Sequence, residues 1–294
     1  SEDLAKLKRI LKPGQNHAVV ANPPYITVKD KALNNAYRMR YPACHRKYAL
    51  TVPFIQRIIQ LTVNDASPKL QAGYTGQIIA NSFMHREFGK KLIEEFMPKW
   101  DITHVIDTGG VYLPGHGTPT VILFARNRKP INETIRTVMG IHGEPKIPDD
   151  PSLGLVWQSI IKNLDMAGKE NDYVTVADKS RVELCSHPWS LRGGGASELK
   201  QSLDDNSDTI LSEHLSEVGF GVIIGEDECF SAPLHSLLAK GIKHDWLRPA
   251  IEGGSVRHWM ISDESSHVIY PYDINVNLRT DSIPNRWLWR FRTL

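Results

Sequence analysis

Apolar positions change their spacing several times over the first 130 residues. Ala18-Val19-Val20-Ala21 is a continuous apolar run halted by Asn22-Pro23-Pro24-Tyr25, the pattern of a buried strand that two prolines cannot extend. Over 48–61 the apolar residues Leu50, Val52, Phe54, Ile55, Ile58, Ile59 and Leu61 recur at helical spacing. Short apolar runs at 77–80, 102–106 and 120–124 predict strands, with a helix over about 85–97 between the first two. Alternating strand and helix predicts an α/β layer fold, helices packed on a largely parallel sheet, whose ligands lie beyond the carboxyl ends of the strands.

Beyond 130 the pattern weakens. Residues 131–245 carry 10 basic against 19 acidic side chains and Pro, Asp and Gly clusters such as Pro148-Asp149-Asp150-Pro151 and Gly193-Gly194-Gly195. This predicts an acidic connector over 131–210. A second, mainly β module is expected over 211–294, with strand-rich stretches at 219–224 and 258–272 and four of the seven tryptophans (Trp246, Trp259, Trp287, Trp289) after residue 245.

Composition narrows the class. No apolar run approaches the roughly 18 residues of a membrane span, and the first twelve residues lack the apolar core of a signal peptide. Cys44, Cys185 and Cys229 are odd in number and widely spaced, giving neither a disulfide framework nor a CxxC metal pattern. The expectation is a cytoplasmic protein without a metal site, in which Cys44-His45 is half a metal pair with no second half.

The formal net charge of +2 hides an asymmetry. Residues 1–130 hold 19 Lys and Arg against 9 Asp and Glu, a net +10 that leaves −8 for the remainder. Lys29, Lys31, Arg38, Arg40, Arg46 and Lys47 crowd one stretch with Tyr37, Tyr41 and Tyr48 among them. Positive charge beside stacking rings suits nucleic acid, the alternative being a solvated basic loop. Arg86, Lys90 and Lys91 share a predicted helix face, and Arg248, Arg257 and Trp259 could grip DNA from the second module, although Trp there also suits a core.

Asn22-Pro23-Pro24-Tyr25 is the sharpest signal, expected by chance in about one chain of this length per thousand. An amine conjugated to an aromatic ring attacks a methyl sulfonium poorly until acceptors hold its hydrogens and favour a pyramidal nitrogen. The Asn side-chain oxygen and a prolyl carbonyl are such acceptors; proline fixes their aim, and Tyr25 offers a face for a flipped base. The competing reading is a Pro-Pro turn with Asn as cap. Asp107-Thr108-Gly109 matches the aspartic-protease triplet, but that chemistry needs two carboxylates and the triplet occurs once.

Asn-Pro-Pro-Tyr after an apolar strand resembles the motif of amino-group DNA methyltransferases, Asn at its first position leaning toward adenine. Asn22-Pro-Pro-Tyr-Ile-Thr-Val-Lys-Asp-Lys-Ala-Leu, Tyr41-Pro-Ala-Cys-His-Arg-Lys-Tyr, Asn81-Ser-Phe-Met-His-Arg-Glu-Phe-Gly, His104-Val-Ile-Asp-Thr and Pro114-Gly-His-Gly-Thr-Pro-Thr-Val-Ile-Leu-Phe together resemble the adenine-specific methyltransferases of bacteriophage-exclusion (phage growth limitation) systems. The resemblance implies that 1–130 form the carboxyl-terminal half of a class I, Rossmann-like methyltransferase fold and 211–294 the start of a target-recognition domain. It implies that Asn22, Pro23, Pro24 and Tyr25 are catalytic, that Tyr25 and Tyr112 stack on the flipped adenine, and that Asn22 and Pro23 meet the cofactor S-adenosylmethionine. It also implies double-stranded DNA as the partner, which Lys29, Lys31, Arg38, Arg40, Arg46, Lys47, Arg86, Lys90 and Arg257 would contact, and other phage-defence components would be partners. Family members bind the cofactor through a glycine-rich turn upstream of the motif; only 21 residues precede Asn22 and none forms Gly-x-Gly, so a fragment carrying the substrate-side elements is expected. The alternatives are a DNA-binding remnant without transfer activity and a protein-glutamine methyltransferase, whose amide nitrogen poses the same chemical problem.

Overall fold

The computed structural model describes residues 3–65, 71–115, 117–216, 224–251, 254, 256–257, 260–261, 266–279, 285–291 and 293. Two compact units divide the chain, 1–208 and 209–294. The expected strand at 219–224, together with His116, His258 and Trp259, lies almost wholly outside the described residues.

The first unit is built on a six-stranded sheet of β1 (Ala18–Ala21), β2 (Tyr74–Ala80), β3 (Asp101–Asp107), β4 (Thr120–Arg126), β5 (Thr134–Gly140) and β6 (Val174–Ser180), in the order β1-β2-β4-β3-β5-β6. β1 runs parallel to β2 and β3 parallel to β5, while β4 is antiparallel to both its neighbours and β6 to β5. The sheet is therefore mixed rather than largely parallel. The cause is local: the 108–119 connection contains no helix to carry the chain back across the sheet, so β4 returns alongside β3.

Helices α1 (Leu4–Ile10), α2 (Lys31–Arg40), α3 (Thr51–Leu61), α4 (Leu155–Asn163) and α5 (Ala196–Asp205) complete the unit. Val52, Ile55 and Ile59 of α3 pack with Ile79, Val105, Leu123 and Met139 in one core. Val156 and Ile160 of α4 pack with Ile106, Val138 and Val176 in another. Val105 and Ile106, like Val138 and Met139, are successive strand residues, so the two cores occupy opposite faces of the sheet.

Three expectations change. Among the described residues β1 pairs with β2 alone and forms a sheet edge, and its outward face is open rather than buried, Val20 being 87% exposed. The helix expected over 85–97 is broken into 3-10 turns at Glu87–Gly89 and Met97–Lys99 around a π turn at Leu92–Phe96. Gly89 packs so closely that an added Cβ would lie 1.8 Å from the Phe83 carbonyl oxygen, a contact that only glycine permits. The acidic segment read as a connector contributes β5, β6 and α4, and belongs to the first unit up to Asp208.

Asp101, 1% exposed at the start of β3, ties these parts together. Its Oδ2 accepts from Arg128 at 2.8 Å and its Oδ1 from Arg181 at 2.7 Å. The end of β4 and the segment after β6 are thus held to one carboxylate.

Within the second unit, Ser231–Pro233, Ser266–Ile269 and Leu247–Pro249 form a three-stranded antiparallel sheet over Leu237, Ile242, Trp246, Ile269 and Trp287. Short helices at Asp227–Phe230, Leu234–Ala239 and Asn285–Leu288 accompany it, so its described part is mixed rather than mainly β. No helix among the described residues is long and apolar enough to cross a membrane.

Candidate active site at the carboxyl end of β1

Leaving β1, the chain turns through the prolines with Pro23 buried and Asn22 and Pro24 exposed. Tyr25 folds back: its hydroxyl donates to Asn22 Oδ1 at 2.7 Å and lies 3.4 Å from the Ile78 carbonyl oxygen of β2. Burial pushes the phenol above its usual range, keeping it a neutral donor at physiological pH. The next residues are clamped as well, the Ile26 carbonyl accepting from Leu50 N–H at 2.8 Å and Thr27 bridging Ala49. An Asn acceptor on a rigid loop is thereby presented beyond the carboxyl end of a strand, with a half-buried ring beside it.

Tyr112 lies on the connection between β3 and β4. It is half-buried and lines an apolar cavity of about 210 Å³ with Ile78, Val111, Leu113, Ile122 and Trp157. Ile78 is common to both places: its carbonyl faces Tyr25 and the residue lines the Tyr112 cavity. The base of this connection is fixed, Thr108 and Thr120 sharing a 2.7 Å hydroxyl hydrogen bond. Trp157, the third aromatic residue of this region in sequence order, sits 45 residues beyond Tyr112 with no local motif to mark it.

Part of the basic stretch is helical: Lys31, Arg38 and Arg40 lie on α2, while Lys29 precedes it and Arg46 and Lys47 fall in the loop that follows. Asp30 caps α2, its Oδ1 accepting from Leu33 N–H at 2.6 Å. Lys29, Lys31, Arg40 and Lys47 point into solvent. Arg38 is spent internally, donating to Asn34 Oδ1 at 3.1 Å and to the Arg46 carbonyl at 2.7 Å. Arg46, at φ +52°, lies 3.7 Å from Glu87. Two of the three tyrosines read as stacking rings are core: Tyr48 is 0% and Tyr41 8% exposed, and the Tyr48 hydroxyl donates to the Asn34 carbonyl. Their rings fill the space between α2 and α3 and are closed to nucleic acid. Beside them the Cys44 thiol is pushed up to about 12 by burial, which leaves it inert.

Arg86 and Lys90 are exposed on the turns that replace the expected helix. In the second unit Arg257 is exposed, donating to the Val256 carbonyl, and Arg248 lies over the Tyr270 ring at 5.5 Å. Among the described residues no group of three or more His, Cys, Asp or Glu could hold a metal. Gly14 is the only glycine before Asn22, so these residues offer no glycine-rich cradle of the kind expected upstream of the motif.

Sequence comparison finds similarity to known methyltransferases. Residues 3–112, which span β1, the Asn22 loop and Tyr112, match the Eco57I restriction-modification methylase family, and methyltransferases of this family use S-adenosylmethionine. Along its whole length the chain is 42% identical to the adenine-specific methyltransferase PglX of Streptomyces coelicolor, of which it covers 25%. It is 22% identical over 87% of its length to the type II methyltransferase M.BstVI of Geobacillus stearothermophilus, covering 44% of that protein. Among solved structures, the type IIG restriction endonuclease BpuSI aligns with 99% of this chain and 35% of its own at 14% identity and a TM-score of 0.47. The chain spans about a quarter of the first of these relatives and under half of the second.

Proposed function

We propose that the chain forms the substrate side of a DNA adenine-N6 methyltransferase. The observation that carries this is the Asn22 amide oxygen, oriented by the Tyr25 hydroxyl at 2.7 Å beyond the end of β1. Full-length similarity to PglX, named as an adenine-specific methyltransferase, supports it. A flipped adenine would place its exocyclic amine against Asn22 Oδ1 and the carbonyl of Pro23, which draw its hydrogens out of the ring plane and free the lone pair. S-adenosylmethionine, when bound, supplies the electrophilic methyl. Transfer to the nitrogen would break the methyl's bond to sulfur, S-adenosylhomocysteine leaving as a neutral thioether; this chain's part would be to hold the amine on Asn22 and Pro23 while its surplus proton passes to water, with no covalent nucleophile. Tyr112 and the cavity it shares with Ile78 and Trp157 would receive the base, and Lys29, Lys31, Arg40, Lys47, Arg86, Lys90 and Arg257 would lie along the phosphates.

The test is transfer of labelled methyl from S-adenosylmethionine to DNA by this chain and by a form extended upstream of Ser1. Activity in the extended form that Asn22→Ala abolishes, with DNA affinity retained, is the expected result. Activity that survives Asn22→Ala removes the assigned role, and DNA binding without transfer in either form favours a DNA-binding remnant. A role in phage defence, with other components as partners, follows from the same relationship and is tested by phage plating with and without the Asn22→Ala variant.

A further inference from the structure

A second concavity, about 600 Å³, opens beyond the carboxyl ends of β2, β3 and β5. Asp107, the last residue of β3, lines it, and so do Asn81, Trp189, Arg192 and Lys200. Its backbone is closely fitted. Asp107 Oδ1 accepts from Gly109 N–H at 2.8 Å, and a Cβ on Gly140 would come within 2.9 Å of Oδ2. Gly110 packs against the next loop, where a Cβ would sit 3.0 Å from the His142 carbonyl oxygen. The glycines let the Asp107 carboxyl pack on β5 and the 108–110 turn pack on the 142–143 loop, which fixes the walls of the cleft.

Charge selects the ligand. Among the lining residues Asp107 is the only acid, in company with Arg192, His85 and His142 and with Lys200, whose ammonium is also paired with Asp204 Oδ2 one helical turn away. Burial pushes its carboxyl up against the pull of the Gly109 and Gly140 amides, Arg192 and His85. A bare anion would gain the cations but meet the carboxyl; a ligand with an anion at one end and N–H donors at the other satisfies both. The volume lies within the range of small-molecule sites. The cleft also adjoins the proposed active site in the chain, Asn81 standing three residues after Ile78 and Asp107 five before Tyr112.

We propose that this cleft binds a nucleotide of the DNA substrate, its phosphodiester on Arg192 and Lys200 and a base edge donating N–H to Asp107. The proposal rests on the reading of the Asn22 site as a DNA methyltransferase and adds a substrate subsite to it.

Binding to this chain is measured by amide NMR titration with the four deoxynucleoside monophosphates, the matching deoxynucleosides and inorganic phosphate. At least one monophosphate should bind about tenfold more tightly than either its nucleoside or phosphate, shifting the resonances of Gly109, Gly110 and the Trp189 indole; tenfold is the worth of one charge-assisted hydrogen bond. Arg192→Ala, at an exposed position, should weaken the nucleotide about tenfold and leave the nucleoside unchanged. Asp107→Asn should erase the preference among bases and leave phosphate binding no weaker, since the carboxyl that a bare anion meets is gone. Phosphate binding as tightly as every nucleotide overturns the proposal in favour of an anion site, and so does nucleotide affinity indifferent to both substitutions, or no binding at all. Asn22→Ala should leave these titrations unchanged while abolishing methyl transfer, so the failure of one site is separable from the failure of the other.

Discussion

Removing one oxygen tests how the Asn22 acceptor is prepared. In Tyr25→Phe the ring stays in place and only the hydroxyl that donates to Asn22 Oδ1 at 2.7 Å is lost. An amide oxygen has two acceptor sites, so the hydroxyl and a substrate amine can share Oδ1, and the hydroxyl orients the acceptor rather than blocking it. A neutral, partly exposed hydrogen bond contributes about 0.5–1.5 kcal/mol, so the transfer rate should fall by about 2- to 12-fold if that orientation is fully expressed in the transition state. The assay is single-turnover methyl transfer at saturating DNA and cofactor, using the upstream-extended form, with DNA affinity measured beside it and expected to be unchanged. The phenol is held above its ordinary range, so the parent's rate should show no break from this group between neutral pH and about pH 10. A Tyr25→Phe rate equal to or above the parent's would refute the argument, because the hydroxyl would then compete with the substrate for Asn22.

Asp101→Asn should destabilise the first unit by about 3–5 kcal/mol in urea unfolding, since Asp101 is 1% exposed and accepts from two arginines; a loss under about 1 kcal/mol would mean that Arg128 and Arg181 relax into solvent. Asp107, whose carboxyl is raised by burial, retains its proton in the folded state over a pH range where the unfolded chain has released it. Stability that Asp107 contributes is therefore complete below its unfolded value and declines as pH rises through the folded one, so the parent should lose stability relative to Asp107→Asn as pH rises from the ordinary carboxylate range through the raised folded value; urea midpoints that stay parallel from acid to neutral pH would contradict this. Lys29, Lys31, Arg40 and Lys47, exposed around α2, should each on replacement by Ala reduce the salt slope of DNA binding by about 0.9 where the side chain meets a phosphate. Arg38→Ala should instead loosen the 41–48 loop, measured as faster amide exchange there, because Arg38 holds the Arg46 carbonyl.

What the sequence makes legible here is what is local. Asn22 to Tyr25 stands out because four improbable residues are contiguous, and β2, β3 and β4 because each contains a short apolar run: Ile78 to Ala80, Val105-Ile106 beside Ile102, and Val121 to Ala125. β5 and β6 escape notice because Arg136 and Asp178 pair across them, Nε to Oδ1 at 2.6 Å, and put charge where an apolar alternation was sought. The acidity that suggested a connector has structural uses: Glu144 accepts from Leu155 and Val156 N–H at the start of α4, and Asp150 from Ser152 N–H. Tyr41 and Tyr48 show the opposite error, since charged neighbours made core rings look like a nucleic-acid surface. Nothing in the spacing of a loop distinguishes a ring that packs inward from one that faces out.

The residues that meet at Ile78 come from β1's exit, from β2, from the 108–119 connection and from the start of α4, and no single window of sequence contains them. Their convergence has a mechanical basis. The Asn22 loop is pinned to the entry of α3 through Ile26 and Leu50, and the Tyr112 connection is pinned at its base by Gly109 on Asp107 and Thr108 on Thr120. Both arms of the proposed base-binding site are thus anchored to different strands of one sheet, and the cost of ordering them is met in folding rather than at binding. A flipped base would meet preset walls, so substitutions at the anchors should move transfer rate and DNA affinity together, whereas Tyr25→Phe, which touches only the acceptor's orientation, should move the rate alone. That difference between anchor and acceptor is what a rigid site predicts and a site assembled by its substrate does not.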